Sequence, residues 1–68
     1  MLHQIYIADE AEMRRCQRAS AKRISILIGG EDTRDGSFRV HRGLVKNVED
    51  VPGLEPGSAP RWRVTMQA

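Results

Sequence analysis

Three segments of this 68-residue chain alternate apolar side chains with a period of two: Ile24-Ser25-Ile26-Leu27-Ile28, Phe38-Arg39-Val40-His41 and Trp62-Arg63-Val64-Thr65-Met66. That period places every second side chain on one side of a β-strand, so each segment carries a face that must leave water. The first segment is half apolar on its reverse as well, through Leu27. Gly29-Gly30 ends it, and Asp35-Gly36 in the polar stretch that follows is a good turn signal, which makes the first two segments a hairpin. Gly43 then breaks the alternation and allows a bulge or sharp bend, with Leu44, Val45, Val48 and Val51 continuing the strand beyond it. Residues 52–60 hold all three prolines and two of the six glycines. They neither form a helix nor pair well, and so read as a long loop leading to the last strand. Leu2, Ile5 and Ile7 around Tyr6 read as a further short strand.

The one helical segment runs from about residue 9 to residue 21. Asp9 and Glu12 have the spacing of a capping box, the acidic residues favour the positive end of the helix dipole, and the interior lacks Gly, Pro and β-branched residues. Met13, Cys16 and Ser20 form a narrow stripe opposite Arg14, Arg15, Arg18 and Lys22. The fold expected is α+β, in one small domain over residues 1–68. An N-terminal amphipathic helix packs on a small, twisted antiparallel β-meander, with a partly open barrel as the variant. The stretch Gly43-Leu44-Val45-Lys46-Asn47-Val48, followed by a turn-rich loop and a strand, resembles the strand-bend-strand of small SH3-like barrels such as KOW modules. That resemblance covers about a third of the chain and implies SH3-like packing. A stripe as thin as Met13 and Cys16 leaves much of the sheet face uncovered, so a homodimer joining two sheets is expected.

Eleven Lys and Arg against nine Asp and Glu leave a net charge of +2, too little for a strong global field. Affinity for nucleic acid would have to come from local clusters of cations. A single cysteine, Cys16, makes no intramolecular disulfide and points to a reducing compartment. With no signal peptide visible, and apolar runs far below the roughly 20 residues of a membrane helix, the expected location is the cytoplasm, away from membranes.

Chemistry finds little support. His3, Cys16 and His41 sit in separate elements without ligand spacing, so neither a metal nor a cofactor is expected. Cys16 in mid-helix on the apolar stripe reads as a structural thiol. The carboxylate pairs Asp9-Glu10, Glu31-Asp32 and Glu49-Asp50 read as caps and solubilising groups, and Gly29-Gly30 lacks the Lys-Ser or Lys-Thr of a phosphate loop. A non-enzymatic binding or regulatory module is expected, with two classes of partner open. In one, Arg14, Arg15, Arg18 and Lys22 on the helix, with Arg39, Arg61 and Arg63 on a strand face, hold nucleic acid weakly and salt-dependently through phosphates. The same residues are also what any solvated surface shows, and Phe38 and Trp62 are expected in the core, where neither stacks on bases. In the other, an adaptor or inhibitor of a size that suits a phage or mobile element contacts a protein through the helix, the strand edge and the proline-rich loop. Leu27 and Leu54 are its exposed apolar contacts.

Overall fold

The computed structural model describes residues 1–51 and 61–68. Its elements are β1 (Leu2–Ile7), α1 (Glu10–Lys22), β2 (Ser25–Asp32), β3 (Phe38–Val51) and β4 (Arg61–Gln67). All pairings are antiparallel, and β1 pairs with both β4 and β2, so the sheet closes into a barrel in the order β1-β2-β3-β4. The α+β class is as expected. The helix, however, is not N-terminal: it follows β1, and the meander is confined to β2, β3 and β4. Pairing between β1 and β4, from Leu2 with Gln67 to Ile7 with Trp62, joins the two ends of the chain.

Asp9 caps α1 as its spacing predicts. Its backbone is extended, with φ −93° and ψ 119°, and its carboxylate accepts the Ala11 N–H at 2.8 Å. Arg23 ends the helix in the left-handed region, at φ 56°, and its N–H donates to the carbonyls of Ala19 and Ser20. Met13, Cys16 and Ala19 turn inward. Cys16 joins Ile5, Ile7, Ile28, Val45, Val64 and Met66 in the core, with Met13, Ile26, Val48 and Trp62 packed around it. Full burial of side chains such as Ile5 and Val64 is worth about 1.5–3 kcal/mol each. β1 and β2 pair only through Ile5 with Asp32 and Tyr6 with Glu31, while the apolar stripe of α1 packs mainly against β3.

Closure depends on a corner in β3. Its first half pairs with β2 as far as Leu44, and from Leu44 onward it pairs with β4. A register shift between Val45 and Asn47 makes Lys46 the extra residue, so Val45 faces the core before the bulge and Val48 after it. The bulge therefore falls after Gly43, whose own role is close approach. A Cβ there would meet the carbonyl oxygen of Gln67 and lie 2.8 Å from its carbonyl carbon. The strand-bend-strand stretch 43–48 lies at this corner.

The structure corrects two expectations about β2 and β3. Gly29-Gly30 does not end β2, which runs on to Asp32; Gly30 is inside the strand because a Cβ there would lie 2.6 Å from the Tyr6 carbonyl oxygen of β1. Phe38 and Val40 do not join the core: they are 74% and 55% exposed, and Ile24 is 50% exposed. Arg39 and His41 take the inward positions instead, opposite Gly30 and Ile28. Asp32, buried on the inner side of β2, is met there by the half-exposed Arg39, whose Nε lies at 3.4 Å, and by Arg34 at 3.5 Å. Shifting a strand's parity by one residue exchanges its faces wholesale.

Candidate functional site

The cations read from the sequence do not form one surface. On α1, Arg14 pairs with Glu10 at 2.7 Å, and Arg15 pairs with Glu12 at 2.7 Å while donating to the Leu27 carbonyl at 2.9 Å. On the strands, Arg63 pairs with Glu49 at 2.9 Å and Arg61 with Glu31 at 3.9 Å. Arg39 is turned to Asp32 and Asp35 at 3.4 and 3.3 Å, on a different face from Arg61 and Arg63. The expected basic strand face is therefore not assembled. Among the described residues, Arg18 and Lys22 have no carboxylate partner, and the same holds for Arg23, Arg42 and Lys46. Arg23 and Lys46 flank a depression of about 340 Å³, lined also by Ser20, Leu44 and Val45, where the end of α1 meets the β3 bulge. The sequence does not single out Arg23 and Lys46 as a pair, because the bulge that turns Lys46 outward depends on barrel closure.

A second surface is apolar. Cross-strand pairing sets Leu27 opposite Arg42, Gly29 opposite Val40 and Glu31 opposite Phe38, all on the outside of the barrel. The Phe38 ring lies over Gly29, where a Cβ would fall 2.6 Å from its Cζ. Leu27, expected as a contact residue, is 50% exposed here beside Val40 and Phe38. Leu54, the other such residue, lies outside the described residues. Phe38 and Val40 were missed as surface residues. The available signal was Gly29 itself, since a glycine inside a strand marks a place where something approaches closely.

The third group closes one end of the barrel. The His3 and His41 rings stack with centroids 4.4 Å apart and an interplanar angle of 16°. Asp32 nearby faces the Arg34 and Arg39 guanidinium groups and accepts the Arg34 N–H at 2.8 Å; that N–H, joined by the Arg34 guanidinium, holds its carboxyl below the usual range. Burial, with help from His3, pushes the His41 pKa down. Burial also pushes the Cys16 thiol up to about 11, leaving it protonated at neutral pH and unlike an activated nucleophile. Among the described residues, no cluster of three or more His, Cys, Asp or Glu side chains has the arrangement to hold a metal ion. No helix there is long and apolar enough to cross a membrane. The chain matches no family model, no curated protein and no solved structure.

Proposed function

We propose that this chain is a non-enzymatic binding module that contacts a protein partner through the outer face of the β2–β3 hairpin. The observation that carries this reading is Phe38, 74% exposed over Gly29 and flanked by Leu27 and Val40. Scattered surface apolar residues are ordinary, but an aromatic ring set among aliphatic neighbours and rimmed by charge has the composition of a contact patch. The lone free thiol supports action in a reducing compartment such as the cytoplasm. The bent β3 supports reading the barrel as SH3-like.

The second reading, weak nucleic-acid binding, is supported by Arg18, Lys22, Arg23 and Lys46, whose charges are not spent on described carboxylates. Affinity capture from native lysate, with and without nuclease, separates the two. For the protein reading, the captured species survives nuclease, is lost with Phe38→Asp and persists with the double variant Arg18→Glu, Lys22→Glu. Capture abolished by nuclease and by the helix variant, and indifferent to Phe38→Asp, replaces it with the phosphate-binding reading.

A further inference from the structure

We infer that the partner accommodated by the outer β2–β3 face is a second copy of this chain; this rests on the reading of that face as a contact surface. Its pattern of charge is self-complementary. Along the hairpin the outward residues run in three cross-strand rows, Leu27 with Arg42, Gly29 with Val40, and Glu31 with Phe38. The cation and the anion thus stand at diagonally opposite corners, with apolar side chains and Gly29 between them. A two-fold axis lying in the contact plane, passing between Gly29 and Val40 and perpendicular to the Arg42–Glu31 diagonal, hence oblique to the strands, sets Arg42 against Glu31 of the partner subunit. The same operation sets Glu31 against Arg42 of the partner subunit, as an isologous interface requires.

Both charges are available for this. Arg42 has no ion pair among the described residues, and Glu31 holds only Arg61, at the long distance of 3.9 Å. Gly29 is the second element of fit. Its missing side chain lets the Phe38 ring settle low over the strand, so that a second sheet approaches closely. Aligned sheets packing face to face interdigitate side chains in this manner.

The area sets the strength. A stable interface buries about 800 Å² per partner, roughly a sixth of the 4798 Å² surface of the monomer. Leu27, Val40 and Phe38 with their charged rim fall below that, so the dimer forms weakly and exchanges freely.

The test is sedimentation equilibrium from about 10 µM to about 1 mM, the range in which a contact of this size dissociates. The expected result is an average mass rising from 7.7 kDa toward twice that value. Arg42→Glu alone and Glu31→Arg alone each weaken association by about tenfold or more, because each sets like charges against one another at both ends of the interface. An equimolar mixture of the two variants restores it, since every facing pair is then of opposite sign. Far-ultraviolet circular dichroism of each variant confirms that these exposed substitutions leave the fold intact. A wild-type mass fixed at 7.7 kDa throughout overturns the self-pairing and leaves the face to a different protein, which the Phe38→Asp capture experiment reports separately. Association that survives both reversals, or a mixture that fails to restore it, places any dimer contact elsewhere and overturns the inference too.

Discussion

Replacing Gly43 by alanine tests how the barrel closes. A methyl group on this residue would lie 2.8 Å from the carbonyl carbon of Gln67 and 3.1 Å from Cα of Ala68, where ordinary contact begins at 3.4 Å. Backbone must therefore move by at least the 0.6 Å separating 2.8 from 3.4 Å, and neither side yields cheaply. Gly43 is buried within β3 at the corner where pairing passes from β2 to β4. Overpacking of this kind costs about 1–3 kcal/mol. A domain of this length holds only roughly 3–10 kcal/mol in all. At about 4–8 °C per kcal/mol, the expected fall in melting temperature is roughly 5–20 °C. The matched control is Gly29→Ala, where the nearest atoms belong to the end of the Phe38 ring. That ring is exposed and free to swing aside, so the expected change is within about 0.5 kcal/mol. Thermal and urea unfolding followed by fluorescence of the only tryptophan, Trp62, measure both variants. A Gly43→Ala variant as stable as wild type, or a Gly29→Ala variant equally damaged, would refute the corner as the point of closure.

Two further expectations concern titrating groups. Cys16, buried and with its pKa raised to about 11, should react with a thiol reagent only as fast as the protein opens; immediate labelling in native buffer would show that the stripe of α1 is not docked. Acid should destabilise the fold in two stages, read as urea midpoints across a pH series. The folded-state pKa of His41 lies below its usual 6.5, so the folded state binds fewer protons and stability declines as pH falls through 6.5, a slope that His41→Gln should flatten. The Asp35 carboxyl, lowered from 3.8 to about 2 by the Ser37 hydroxyl and N–H and by Arg39, contributes stability above 3.8 that is lost as pH falls toward 2. A midpoint independent of pH between 7 and 5 would contradict the His41 environment.

Local signals carried far in this sequence. Asp9 and Glu12 announced the helix start, Asp35-Gly36 the turn, where Gly36 takes φ 75°, and the alternation through Trp62, Val64 and Met66 the inward face of β4. What was hidden is non-local. A period of two says that β3 has two faces and not which one turns inward, and that choice is made in the register across the hairpin, which sets Arg39 opposite Gly30 and His41 opposite Ile28. Closure of β1 on β4 unites segments from the two ends of the chain and leaves no mark on either. For the site, the spacings of Arg14 with Glu10 and Arg15 with Glu12 could have shown that these cations are paired along the helix. The partners of Arg39, Arg61 and Arg63 lie across strands and were invisible, as was the exposure of Phe38. The basic residues were therefore legible as residue types, and the apolar patch only through Leu27.

Photo-crosslinking tests the contact face most directly. A benzophenone side chain placed at position 38, and in a separate protein at position 18, reports what each surface touches in native lysate. Contact through the outer β2–β3 face should give a covalent protein adduct from position 38 that resists nuclease, with none from position 18. Adducts confined to position 18 and removed by nuclease, with position 38 silent, would contradict it and leave Arg18 and Lys22 as the working surface.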